Sequence, residues 1–194
     1  MTKKMTPKLP SNPLEAWPEE WREGWFRAAR HVPSPNFNTR PAHTRVELLV
    51  VHNISLPPGE FGGPGIEQLF TNTLNPAEHP YYTTIAELQV SAHFLIRRDG
   101  EIVQFVSVDN RAWHAGQSLW CGRHNCNDFS VGLELEGTDE RPYEDIQYAQ
   151  LQQLVDALRR YFPSLGPDDV AGHSDIAPGR KTDPGPAFDW SRLS

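Results

Sequence analysis

The sequence predicts an α/β fold of mixed α+β type, in which helices flank a central mixed β-sheet in a single domain. Two apolar, strand-like runs, Arg45–Asn53 and Phe129–Glu136, lie on either side of a hairpin pattern. One long amphipathic helix follows them. This order of elements favours a mixed sheet that carries one long helix and several shorter ones.

Size and charge limit the classes of function. A chain of 194 residues suits one domain with its own core, and 18 prolines with 14 glycines predict many loops. The net charge of −7 argues against a nucleic-acid or anionic-membrane partner. No secretion signal and no apolar run of about 20 residues is recognisable. We therefore expect a cytoplasmic monomer with no nucleic acid and no membrane among its partners.

Residues 1–40 are predicted to be an N-terminal extension to a domain that spans residues 41–194. Trp17, Trp21 and Trp25 recur at helix-like spacing, and Phe26 follows them. This spacing predicts a short amphipathic helix over Glu15–Arg30 that packs on the domain.

The elements of the domain follow in chain order. Arg45–Asn53 is a buried strand, Ile54–Pro64 is irregular, and Gly65–Thr73 forms a short helix. The runs Ala92–Arg97 and Glu101–Val108 form a hairpin around Arg98–Asp99–Gly100, and a long loop covers Arg111–Asp128. The last elements are the strand Phe129–Glu136, a helix over Glu144–Phe162 with apolar residues at i, i+3, i+4 and i+7, the strand Asp169–Gly172 and a turn at Asp189–Leu193.

The loop Gly172–Gly185 holds the residues most suggestive of chemistry. It carries His173, Lys181 and Asp183 between prolines and glycines, while His52 stands far upstream near the end of a predicted strand. Two histidines and one aspartate can bind zinc and leave a fourth position open, which is the catalytic pattern. Lys181 could stabilise negative charge that develops on a substrate oxygen.

Glu134 and Glu136 alternate on one predicted strand, so both side chains point to the same face. That face is either solvent-exposed or directed into the metal site. In the second case, one carboxylate could take a proton from a zinc-activated water.

Other residues have alternative interpretations. His93 lies within the predicted hairpin, which favours a buried, hydrogen-bonded ring, while Trp113 and His114 stand on a loop that could line a substrate cleft. Cys121 and Cys126, with His124 between them, are interpreted as reduced thiols, a local disulfide or an incomplete zinc knuckle.

Five ordered motifs resemble one enzyme family, the cytosolic anhydro-N-acetylmuramyl-L-alanine amidases of the AmpD group. They are VVHNISLPPGEFGGP (Val50–Pro64), SAHFLIRRDGEIVQFV (Ser91–Val106), RAWHAG (Arg111–Gly116), CNDFSVGLELEG (Cys126–Gly137) and GHSDIAPGRKTDPGPAFDW (Gly172–Trp190). The wider group includes phage amidases and peptidoglycan-recognition proteins. The resemblance implies the single-domain fold of that group for residues 41–194.

The resemblance also implies an activity and a set of site residues. Family members cleave the amide between the lactyl group of anhydro-N-acetylmuramic acid and L-alanine during cell-wall recycling, with zinc as the cofactor and the anhydro-muramyl peptide as the substrate. The residues that match the family's functional positions are His52, His173 and Asp183 as zinc ligands, Glu134 and Lys181 as catalytic groups, and Asn53, Trp113 and His114 as substrate contacts.

Two other classes of function are considered. An autolysin or endolysin would act on intact murein, and a peptidoglycan-recognition module would bind fragments without cutting them. The complete ligand set, together with Glu134 and Lys181, favours a catalytic protein.

Overall fold

The computed structural model describes residues 20–193, and its centre is a six-stranded mixed sheet. The strands of the described residues are β1 (Trp21–Arg22), β2 (Trp25–Phe26), β3 (Arg30–His31), β4 (Phe37–Thr39), β5 (Leu48–Ile54), β6 (Phe94–Ile96), β7 (Ile102–Gln104), β8 (Asn110–Ala112), β9 (Leu119–Trp120), β10 (Arg123–His124), β11 (Ser130–Glu136) and β12 (Val170–Gly172). The helices are α1 (Gly65–Phe70), α2 (Tyr82–Ile85), α3 (Asp145–Tyr161) and α4 (His173–Ile176), with 3₁₀ turns at Cys126–Asp128 and Trp190–Leu193.

The central sheet has the order β12-β5-β11-β6-β7-β3. Strands β12, β5, β11 and β6 are parallel, β6 and β7 form the predicted antiparallel hairpin, and β3 runs parallel to β7. The predicted class, helices around a mixed sheet, is therefore confirmed.

Helix α3 packs along the sheet as its apolar spacing predicts. It buries Leu151, Leu154 and Leu158 in the same core as Leu133 of β11. Its N-terminus is capped because the Glu144 backbone N–H donates to the side-chain oxygen of Gln147. The buried Gln147 amide also donates to the carbonyls of residues 96 and 136, which ties the helix to two strands of the sheet.

The predicted helix over Glu15–Arg30 is wrong within the described residues. Strands β1 and β2 form an antiparallel hairpin, and Glu23 and Gly24 at its turn have φ of 52° and 76°. Two positive φ values are the requirement of a tight type I′ turn, and the Glu-Gly pair meets it. The Trp21 ring still packs on the domain, 4.9 Å from the Tyr161 ring centroid. Residues 15–19 of the predicted helix, including Trp17, lie outside the described residues.

The region Arg111–Asp128 carries more structure than a loop. Strand β8 pairs with β4, and β9 with β10 forms a short hairpin. Within residues 20–193, none of the helices has the length and apolar character needed to cross a bilayer.

Candidate active site

Three parallel strands bring the chemical groups together at their carboxyl ends. His52 on β5 lies directly opposite Glu134 on β11 in the strand register. On the other side of β5, Gly172 of β12 pairs with Val51, and His173 follows as the first residue of α4. The sheet order β12-β5-β11 thus places His173, His52 and Glu134 side by side.

His52, His173 and Asp183 form a group that could hold a metal ion. The Nδ1 atoms of the two histidines are 2.9 Å apart, and each lies 3.0 Å from Asp183 Oδ2. Zinc at about 2.0–2.2 Å from nitrogen and oxygen ligands requires such a compact triangle of donors, with one side left open.

Backbone contacts hold Asp183 at this position. Its carbonyl accepts the backbone N–H of Ser174, at 2.9 Å, so the loop folds back on α4. The side chain of Asn53 donates to the carbonyl of Pro184 and to Asp139 Oδ1, at 3.1 and 2.7 Å. The loop that carries Asp183 is therefore tied to the end of β5.

The tautomer of His173 suits a metal ligand. Its Nε2 atom lies 3.1 Å from the carbonyl oxygen of Ala115, which can only accept a hydrogen bond. The proton of the neutral ring is therefore on Nε2, and the Nδ1 lone pair faces His52 and Asp183. A cation between these three groups would relieve the repulsion among their lone pairs, so the residues fit a metal.

Burial keeps the His52 imidazole neutral. It lowers the pKa of His52 to about 4, and the nearby His173 and Lys181 charges add to this effect. Burial would raise the pKa of Asp183, but its contacts with the two imidazoles hold that pKa below its usual range. A neutral His52 and an ionised Asp183 are the protonation states that metal binding needs from these two residues.

Glu134 is a buried carboxyl group in the same pocket. Burial raises its pKa well above the usual value, the Asp183 charge raises it further, and Lys181 opposes both. Its Oε2 atom is buried and has no hydrogen-bond partner among residues 20–193. An unpaired, buried carboxyl group beside a candidate metal site has the chemistry of a group that could exchange protons with a substrate or water.

A cavity of about 370 Å³ opens over the cluster. Its lining contains all eight residues predicted from the sequence: His52, Asn53, Trp113, His114, Glu134, His173, Lys181 and Asp183. The lining also includes an apolar group, namely Leu56, Leu69, Phe70, Ile85, Leu88 and Val90. This apolar group was not predicted, because apolar residues carry no chemical signature of their own; its members come from the segment before α1, from α1 and α2, and from the segment after α2.

The remaining predicted residues have defined places. Trp113 lines the cavity, and its indole N–H donates to Asn38 Oδ1 at 2.7 Å. His93 is fully buried, as predicted, with Nδ1 accepting the backbone N–H of Gly132. Cys121 and Cys126 are free thiols, the first exposed and the second buried.

The sequence matches a family model described as N-acetylmuramoyl-L-alanine amidase over residues 42–186. It is 60% identical over 170 residues to the 1,6-anhydro-N-acetylmuramyl-L-alanine amidase AmpD of Enterobacter cloacae, covering 88% of this chain and 90% of that protein.

Solved structures of amidases also resemble this chain. The crystal structure of a selenomethionine AmpD derivative matches with a TM-score of 0.86 and 59% identity, over 89% of this chain and 96% of that one. The amidase AmiD of Escherichia coli, solved in complex with the substrate anhydro-N-acetylmuramic acid-L-Ala-D-γ-Glu-L-Lys, has a TM-score of 0.58 and 29% identity, with coverage of 80% and 59%. The chain therefore belongs to the N-acetylmuramoyl-L-alanine amidase family, in its AmpD group.

Proposed function

We propose that this chain is a zinc amidase that hydrolyses the bond between the lactyl group of anhydro-N-acetylmuramic acid and L-alanine, in cell-wall recycling. The observation that carries the proposal is the triangle of donor atoms from His52, His173 and Asp183, which lies beside the buried carboxyl group of Glu134 in one cavity. The 60% identity to an AmpD enzyme over most of both chains supports the choice of bond.

His52 and His173 would hold zinc through Nδ1, and Asp183 through Oδ2. When bound, the ion would supply Lewis acidity, lowering the pKa of a water toward about 7 and polarising the scissile carbonyl. Three protein ligands would leave the fourth coordination position open for water or substrate, whereas a structural zinc site is closed by a fourth protein ligand.

Glu134 is proposed to be the general base and then the general acid. It would accept a proton from the attacking water and deliver it to the nitrogen of the departing L-alanine amine. The burial of Glu134 and the raised pKa of its carboxyl group suit both steps, because such a group binds a proton more readily than an exposed carboxylate. A nearby cation would bring this pKa down toward the working pH.

Lys181 is proposed to stabilise the negative charge that develops on the carbonyl oxygen. It is exposed on the loop after α4 and lines the same cavity as Glu134 and Asp183. A fixed ammonium next to that oxygen lowers the barrier because its interaction strengthens as the charge appears.

Asn53 and Trp113 are proposed to contact the substrate. Both line the cavity, where an aromatic ring and an amide could pack against a sugar and bind its polar groups. His114 lines the same cavity, but both of its nitrogens contact protein atoms, so only carbon atoms of its ring are left to contact a substrate. The apolar residues of the cavity lining suit the less polar face of an anhydro-sugar.

Residues 41–194 are proposed to be the zinc amidase domain, with residues 1–40 as an extension. We further propose that the chain acts in the cytoplasm as a monomer, where its substrate would be free muropeptides. Cell fractionation and light scattering of the purified protein test these two points.

The test offers the purified protein two substrates, anhydro-N-acetylmuramyl tripeptide and intact murein sacculi, and follows products by mass spectrometry. We expect release of free tripeptide from the first and much slower release of peptide from the second. Faster cleavage of sacculi would assign the chain to autolysins or endolysins. Binding of the tripeptide substrate without cleavage, in the presence of zinc, would assign it to recognition modules.

A further inference from the structure

A chain of hydrogen bonds leads from the interior of the protein to the ligand His52. Ser130 Oγ lies 2.6 Å from the carbonyl oxygen of Cys126 and 3.1 Å from Nε2 of His114. His114 Nδ1 in turn lies 2.9 Å from Nε2 of His52. The far nitrogen of His52 is the Nδ1 atom that faces His173 and Asp183.

The Cys126 carbonyl at the start of this series of hydrogen bonds fixes which atom is the donor and which is the acceptor in each bond. A carbonyl oxygen can only accept, so the single hydroxyl proton of Ser130 goes to Cys126. The Ser130 oxygen then presents lone pairs to His114, whose Nε2 must carry the ring proton. Its Nδ1 is consequently an acceptor for His52 Nε2–H, and the lone pair of neutral His52 is on Nδ1.

The backbone is shaped to seat the His114 ring. Gly132 lies two residues after Ser130 on β11, and a Cβ atom there would come within 2.5 Å of His114 Cγ. The φ of Gly132 is not positive, so the glycine is explained by the close approach of the ring and not by the backbone conformation. His93 accepts the Gly132 N–H at 3.0 Å, and its ring centroid lies 5.9 Å from that of His114. The ring is therefore held from several sides.

We propose that His114 is a positioning residue: with Ser130 as its anchor, it locks His52 in the tautomer whose Nδ1 lone pair faces His173 and Asp183. This inference rests on the proposed zinc site. It gives His114 a role toward the ligand in place of a hydrogen bond to substrate, because neither ring nitrogen is left for one. Groups that orient a metal-bound histidine in this way typically contribute about 10- to 100-fold in metal affinity.

The variant that tests the proposal is Ser130→Ala, and its matched control is Ser118→Ala. Ser118 is also buried, donates to the carbonyl of Gly116 and accepts the backbone N–H of Cys126, at 3.1 and 3.0 Å. Each substitution thus removes one hydroxyl, one donated bond and one accepted bond, but only Ser130 contacts His114.

Zinc affinity of the full-length proteins is measured by competition with a fluorescent chelator. Because Ser130 acts on His52 only through His114, we expect Ser130→Ala to bind zinc measurably more weakly than the wild type, by up to about 100-fold, and Ser118→Ala to bind like the wild type. Equal affinity of wild type and Ser130→Ala, or equal weakening in both variants, would overturn the proposal.

The tautomers are read directly from long-range ¹H–¹⁵N spectra of the metal-free protein with ¹⁵N-labelled histidine. We expect His114 and His52 to carry their proton on Nε2 in the wild type, and His114 to lose this preference in Ser130→Ala. A wild-type His114 protonated on Nδ1, or on both nitrogens, would contradict the proposal. Since these spectra need no metal, they separate this inference from the zinc site: a wild type that binds no zinc would defeat the proposed function alone.

Discussion

Glu134 and Glu136 lie two residues apart on the same face of β11 and are both buried, yet only one carboxylate is satisfied. Glu136 accepts the backbone N–H groups of Gly62 and Arg98, at 2.6 and 3.1 Å, and lies 3.4 Å from the Arg97 guanidinium. Glu134 Oε2 has no partner within the described part of the chain. One strand thus carries a carboxylate that holds a loop and another that stays available for chemistry.

Because the two carboxylates differ in this way, replacing each of them with glutamine should change the stability of the metal-free protein in opposite directions. Glu136→Gln should lower the free energy of unfolding by about 1–3 kcal/mol, because an amide N–H₂ would face donors that now meet a carboxylate oxygen. Glu134→Gln should raise it at neutral pH, because it removes the cost of ionising a buried, unpaired group. Urea unfolding of both variants, after removal of metal, measures the two effects.

The stabilising effect of Glu134→Gln on the metal-free protein should depend on pH. Its folded-state pKa lies above the unfolded value of about 4.3, so the wild type loses stability as pH rises from there through the raised pKa. Metal-free wild type and Glu134→Gln should therefore differ little at pH 4 and separate by pH 7. A constant difference across this range would argue against an ionising Glu134.

Glu134→Gln should separate zinc binding from turnover. Since Glu134 is not one of the three donors, the variant should bind zinc as the wild type does. Its rate should fall by about 10²- to 10⁴-fold, the usual contribution of a general acid–base group. Steady-state cleavage of anhydro-N-acetylmuramyl tripeptide, with zinc content measured on the same samples, checks this. A rate near that of the wild type would remove Glu134 from the mechanism.

Lys181→Met should lower kcat and leave folding intact. Loss of one charge-stabilising donor costs about 10²- to 10³-fold in kcat. Because Lys181 is exposed, its replacement should change Tm little. A variant whose KM rises while kcat stays unchanged would show that Lys181 binds the ground state and not the transition state.

His93 should make the metal-free protein sensitive to acid. Burial lowers its pKa to about 3, and the charge of Arg40 adds to this effect. Its contribution to stability is complete above the unfolded pKa of about 6.5 and is lost as pH falls toward 3, because the unfolded chain takes up the proton first. At pH 5 the loss is about 2 kcal/mol.

The check compares urea unfolding of wild type and His93→Gln at pH 7.5 and pH 5. His52 and His114 titrate in both proteins, so the difference between their pH dependences isolates His93. We expect the wild type to lose about 2 kcal/mol more than the variant between these pH values. Parallel losses in the two proteins would show that His93 titrates normally.

Much of the fold was predictable because its core elements have strong periodicity. Helix α3 was predicted within one residue at each end and the strands of the β6–β7 hairpin within about one to four residues, since their apolar spacing and turn residues agree. The aromatic residues at 21 and 25 misled the prediction because a four-residue spacing suits a helix, whereas the Glu23–Gly24 turn gives a hairpin. The order of the parallel strands could not be predicted, because it depends on contacts distant in sequence.

The predicted site residues meet in one cavity because β5, β11 and the loop after β12 end at the same edge of the sheet. Ser130 and Gly132 were not singled out, because a serine and a glycine in a strand carry no chemical signal of their own. Ser130 and Gly132 matter here because they contact His114, which lies in a different part of the chain.

We propose that His52, His173 and Asp183 hold the zinc on which hydrolysis depends. The most direct measurement is the rate of tripeptide release from anhydro-N-acetylmuramyl tripeptide by metal-stripped protein titrated with Zn²⁺, for the wild type and Asp183→Ala. We expect no activity without metal, a wild-type rate that rises linearly and levels off at about one equivalent of Zn²⁺, and no such saturation in the variant. Full activity of the stripped wild type, or an unchanged titration curve for Asp183→Ala, would contradict it.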